Sequence, residues 1–102
     1  MVKRLLSCNA SDFATMTPEE LKQSIKASEG RTVVSENVVV SQPLIPDITN
    51  AEVARAFGAD LILLNALDML KPVILGMYGY TTLAEAKPNK DVVRDLKKLL
   101  GR

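Results

Sequence analysis

Between Thr49 and Asn65 the chain spells out one step of a parallel α/β protein. Thr49 and Glu52 have the spacing of a capping box, in which hydroxyl and carboxylate each bond the other residue's backbone N–H, and Ile48 and Val53 occupy the flanking staple positions. Val53, Ala54 and Phe57 are predicted to form the buried face of the helix, with Gly58 ending it. After the turn Gly58-Ala59-Asp60, the run Leu61-Ile62-Leu63-Leu64 lacks polar alternation. That is expected of a strand buried on both faces, as in a parallel sheet flanked by helices. A short buried helix is the competing expectation, disfavoured by Gly58 and by the long helix just upstream. Asn65 closes the run on a polar amide.

Neighbouring segments extend the pattern. Thr17-Pro18-Glu19-Glu20 is a second capping box with proline at the first helical position. Met16 and Leu21 form its staple, Leu21, Ile25 and Ser28 share a stripe, and Gly30 suits a left-handed C-terminal position. Asn9-Ala10-Ser11-Asp12 signals a turn or cap in an otherwise ambiguous start. Thr32–Glu36 reads as a strand, and Val38-Val39-Val40 as its continuation or a separate extended piece. Pro43 and Pro46 exclude regular ladders from residues 41–48. Beyond Asn65, Asp68 is a candidate cap for a short helical turn, Pro72 limits that turn, and Gly76-Met77-Tyr78-Gly79 breaks it. A final helix starts near Asn89, carries the stripe Val92, Val93, Leu96, Leu99 and Leu100, and closes at Gly101.

The expected fold is therefore α/β, a partial (β/α) barrel over residues 1–102, with a leading helix and two βα units whose strands are parallel. A closed eight-stranded barrel needs about 200 residues or more, and this chain has 102. The expectation is an amino-terminal portion of a larger protein, or a chain that completes its sheet by self-association. Bare strand edges and uncovered apolar stripes favour a homo-oligomer, with a two-fold dimer the simplest form.

Thirteen basic and twelve acidic residues leave a net charge of +1, so no basic field exists to attract nucleic acid or an acidic membrane. Lys97, Lys98 and Arg102 cluster where they complement the last helix's dipole. Asn65 and Asp68 interrupt the longest apolar region, so no membrane span is expected. The opening apolar run is too short for a signal peptide, and the single cysteine, Cys8, fits a reducing cytoplasm. The absence of histidine from the sequence excludes imidazole-based triads and leaves Cys8 as a structural or incidental thiol.

Ligands of parallel α/β folds bind beyond the carboxyl ends of the strands. Two such ends are expected here: Ser35-Glu36-Asn37, and Asn65 with Asp68. Glu36 is the candidate catalytic base or metal ligand. Ser35, Asn37, Asn65 and Asp68 are candidate substrate-binding residues, with Asn65 orienting a substrate oxygen and Asp68 supplying a second carboxylate. Two carboxylates and an amide suit magnesium or another oxygen-seeking cation. The bland alternative is that Glu36 and Asn37 turn the chain and Asp68 caps a helix. Gly76-x-x-Gly79 lacks the third glycine and preceding strand of a dinucleotide loop. Tyr78 and Tyr80 fit a substrate lid or, more simply, packing or a contact with another chain.

Arg4–Ser11, Ser35-Glu36-Asn37-Val38, Pro43-Leu44-Ile45-Pro46 and Thr49–Asn65 together resemble an uncharacterised group of bacterial TIM-barrel proteins. These are loosely labelled phosphoenolpyruvate phosphonomutase-like, or haloacid-dehalogenase-like. The resemblance covers most of this chain but only the amino-terminal portion of such a protein. It implies a (β/α)₈ barrel in the longer relative, acting on a small phosphorylated or carboxylated metabolite, and a fragment that is inactive alone. The magnesium carboxylates of the phosphonomutase group lie on later strands. The dehalogenase Asp-x-Asp is absent, since Leu64 is followed by Asn65-Ala66-Leu67-Asp68.

Overall fold

A clasp at Asp60 sets how the two halves of the sheet meet. In the computed structural model, which describes residues 3–101, the Asp60 carboxylate accepts the Val33 N–H at 2.9 Å. The Val33 carbonyl in turn accepts the Asp60 and Leu61 N–H groups at 2.9 and 3.2 Å. From this clasp β1 (Val34–Val38) and β2 (Leu61–Asn65) run parallel, in the register Val34↔Leu61 to Val38↔Asn65. They form a two-stranded sheet. The α/β fold is as expected: α1 (Ala10–Thr15), α2 (Pro18–Ala27), β1, α3 (Asn50–Ala56), β2 and α4 (Val92–Leu100) follow in order.

Local chemistry accounts for the helices. Thr17 and Glu20 complete their capping box at 3.1 Å in both directions, and Pro18 begins α2. The Thr49 hydroxyl accepts the Glu52 N–H at 3.1 Å, while Glu52 receives the Thr49 N–H and O–H. At α1 the Asn9 N–H donates to Asp12 at 3.0 Å. That bond, followed by the Lys3 ion pair, holds the Asp12 carboxyl below its ordinary range. Gly30 and Gly101 take left-handed conformations as expected. The start of α4 differs in detail. Asp91 is its N-cap, and Asn89 shapes the preceding turn by accepting the Asp91 and Val92 N–H groups.

Side chains alternate along the strands, so Ser35, Asn37, Ile62 and Leu64 share one face while Val34, Glu36, Val38, Leu61, Leu63 and Asn65 share the other. The first face is covered. Ile62 and Leu64 pack on a core of Val39, Ala51, Ile74, Met77, Val92 and Leu96. A second core, of Leu5, Cys8 and Phe13, gathers Met16, Leu21, Ile25 and Leu61 beneath the amino-terminal end of the sheet.

Three expectations are corrected. The polar trio Ser35-Glu36-Asn37 forms the middle of β1 and not its carboxyl end, because the clasp at Val33 shifts pairing to Val34–Val38. The apolar run of β2 is not buried on both faces: Leu63 is 52% exposed, because the second core covers the face it shares with Val34 and Val38 only at Leu61. Phe57 is 89% exposed and Ala51 takes its place in the core. At about 100° per residue Phe57 points roughly 120° around the helix from Ala51. Arg102 lies outside the described residues.

Candidate functional site

Glu36 and Asn65 meet on the uncovered face. Glu36 pairs with Leu63 and Val38 with Asn65, which makes Glu36 and Asn65 diagonal neighbours across the two strands. The Asn65 side-chain Nδ2 donates to Glu36 Oε1 at 3.3 Å. Both side chains are exposed, and Val34, Val38 and Leu63 form an apolar floor around them. One carboxylate oxygen is thus oriented by an amide, while the other stays open to a ligand. Such a pair can accept a proton or receive a hydrogen bond from a polar small molecule.

The remaining candidates part company with this pair. Ser35 and Asn37 occupy the opposite, helix-covered face, because odd and even positions of a strand point to opposite sides. Asn37 Oδ1 is buried there and without a hydrogen-bond partner. Asp68 lies in the loop after β2, where its carboxylate accepts the backbone N–H groups of Leu70 at 2.9 Å and Lys71 at 3.3 Å. It does cap a local turn. Among the described residues no three side chains of histidine, cysteine, aspartate or glutamate are grouped to hold a metal ion. Glu36 with Asn65 supplies one carboxylate and one amide, which does not by itself make the oxygen cage that magnesium requires.

Two clefts lie elsewhere. An apolar groove of about 420 Å³ runs beside β2, lined by Phe13, Met16 and Leu21 on one wall and Val93, Leu96 and Leu100 on the other. A second cleft, of about 560 Å³, is lined by Asp47, Glu52, Tyr78, Asp95 and Lys98 among others. The Tyr78 hydroxyl donates to Asp95 on α4. That bond, more than burial, pushes the phenol up to about 12. Tyr78 therefore packs within its own chain, on a backbone with φ of 54°. Cys8 is buried, its Sγ 3.4 Å from the Arg4 carbonyl oxygen. No helix among the described residues is long and apolar enough to cross a membrane.

Sequence reasoning missed Asp60. Its place directly after Gly58-Ala59 and before an apolar strand was the available signal, since a buried carboxylate there needs backbone donors. The chain belongs to the family described as Domain of unknown function (DUF7916), whose model matches residues 6–102. No curated protein and no solved structure matches it.

Proposed function

We propose that this chain is the amino-terminal βα portion of a TIM-barrel enzyme acting on a small phosphorylated or carboxylated metabolite, and that it is catalytically inert alone. The observation carrying this reading is the Asn65–Glu36 hydrogen bond, on a part of the sheet face that, beyond the Leu61 end, is left exposed among the described residues. In a barrel that face would line the interior, where the strands deliver their functional side chains. Glu36 serves as the base or as one ligand of a metal completed by other strands, and Asn65 fixes its orientation. The resemblance to phosphoenolpyruvate phosphonomutase-like barrels supplies the substrate class.

The test uses a longer relative carrying the same two residues. Glu36→Gln and Asn65→Ala should abolish turnover or weaken binding of phosphoenolpyruvate-like and phosphonate ligands, while stability changes by no more than about 0.5 kcal/mol, as for other exposed positions. Full binding by both folded variants would assign the pair to structure. Turnover by the isolated 102-residue chain would refute the proposed inertness.

A second reading is favoured by the bare edges of β1 and β2 and by the exposure of Val34 and Leu63. In it the chain is a non-catalytic α/β module that associates with itself. Both readings have the isolated chain self-associate through its uncovered sheet, and both place it in the cytoplasm.

A further inference from the structure

Asn37, on the helix-covered face of β1, holds chemistry that the exposed pair does not use. Its Oδ1 is buried and bonded to no protein group. Buried amide oxygens are nearly always paired in native proteins, because an unmade bond there costs the desolvation of the group. A small cavity of about 10 Å³ lies against this residue. Its apolar walls are Leu64, the ladder partner of Asn37, together with Ala51 of α3 and Ile74.

Size decides what the cavity can hold. A single water needs about 10–15 Å³, so one fits and no metabolite does. Polarity decides whether it is filled. A cavity walled only by hydrocarbon stays dry, whereas one with two or more hydrogen-bonding groups takes up water. Asn37, Ser41 and Asn50 supply polar walls. The Asn37 oxygen needs a donor. Asn50 Oδ1 accepts the Leu44 N–H at 3.0 Å, and Asn50 Nδ2 donates to the Gln42 carbonyl at 3.5 Å. An amide nitrogen carries two hydrogens, so the second remains for the cavity. The Ser41 hydroxyl can give or take a bond. Water meets this set, because it donates to Asn37 while accepting from Asn50. A cation would face the Asn50 N–H, and an anion would face the Asn37 oxygen.

We propose that this cavity is the binding site of one structural water, which donates to Asn37 Oδ1 and accepts from Asn50 Nδ2. The water ties the strand that carries Glu36 to the start of α3. Asn50 in turn holds the loop at Gln42 and Leu44, so strand, water, helix and loop are joined in one chain of hydrogen bonds. Asn37 is thereby a positioning residue for the loop that follows β1 and makes no contact with substrate. The site stands apart from the function proposed above, and either can fail with the other intact.

The first test is a crystal structure of the chain at a resolution that shows ordered water. One peak should lie within hydrogen-bond distance of both Asn37 Oδ1 and Asn50 Nδ2. It should vanish in Asn37→Leu, which is close to the amide in size but offers no acceptor. A dry cavity in the wild-type chain would overturn the proposal, as would an Asn37 amide bonded directly to a protein group. The second test is amide hydrogen exchange. In Asn37→Leu the Leu44 N–H should exchange about fivefold faster, the equivalent of one hydrogen bond. That change is measured relative to the Leu96 N–H of α4, which reports the fold as a whole. An unchanged ratio would break the link from water to loop. Should Asn37→Leu fail to fold, the wild-type crystal decides, together with a long-lived water contact to the Ala51 methyl in nuclear magnetic resonance. Loss of either would overturn the site.

Discussion

Gly76 is where a single methyl group should do most damage. Its φ is +96°, and a Cβ built there would lie 2.8 Å from the Thr49 Cα, 2.9 Å from the Thr49 nitrogen and 3.0 Å from the Ile48 carbonyl oxygen. These are backbone atoms and cannot swing aside. Left-handed backbone costs an alanine about 1–2 kcal/mol. Forcing a methyl into a filled site adds about 1–3 kcal/mol. Thr49, itself fully buried, is the residue that must yield. Moving it disturbs the hydroxyl that caps α3, so the contact term should fall in the upper part of its range. Gly76→Ala should then lose about 3–5 kcal/mol, which lowers Tm by about 12–40 °C in a domain of this size. Gly58→Ala is the internal control, because Gly58 has φ of +107° but nothing within 4 Å of its built Cβ. It carries the backbone term alone and should lose about 1–2 kcal/mol. Urea unfolding followed by far-ultraviolet circular dichroism, at matched protein concentration, measures both. Equal losses in the two variants would refute the claim that the approach to Thr49 sets the requirement for glycine.

Two further outcomes follow from side chains already described. Tyr78 should ionise near pH 12, against 10.0 for an unperturbed phenol, when followed by near-ultraviolet absorbance in a Tyr80→Phe background. A raised folded-state value means that its bond to Asp95 supports the fold below about pH 10 and is lost as pH rises through about 12. Asp95→Asn should remove most of the shift, and an unchanged titration would show that Asp95 is not its cause. In α4, Leu96→Ala should destabilise by about 2–5 kcal/mol because Leu96 is buried in the core. Leu99→Ala should change stability by no more than about 0.5 kcal/mol, because Leu99 is exposed. The two would lose equally if Leu99 were covered in the folded chain.

What could be read in the sequence was what short-range chemistry decides. The capping boxes Thr17–Glu20 and Thr49–Glu52 bond within one helical turn, so spacing alone located the starts of α2 and α3. Gly101 likewise marked the end of α4. Register and burial depend on partners distant in sequence, and there the expectations slipped. The Asp60–Val33 clasp moved β1 along by two residues, which put Ser35, Glu36 and Asn37 in the middle of the strand instead of at its end and split them between its faces. Strand alternation would have separated Ser35 and Asn37 from Glu36, had the strand's limits been known. Phe57 looked like a core residue by hydropathy, but the helix's rotation is set by Ala51 against Val39 and Ile74. Residues 66–88 were barely legible because they hold their course through Gly76, Tyr78 and scattered buried side chains with no periodic pattern.

The Asp60 clasp also bears on the order in which the sheet assembles. Val33 and Asp60 are 27 residues apart, and bringing them together costs about 3 kcal/mol of chain entropy. That loss is met once. Each later pair, from Val34 with Leu61 onward, closes no new loop and adds its hydrogen bonds at little further entropic loss. Assembly should therefore zip from the clasp toward Asn65, and opening should begin at the opposite end. The Glu36–Asn65 pair sits near that opening end. Its two side chains belong to the part of the sheet that forms last and frays first, and a ligand bridging them would act as a fastener on the strands that present it.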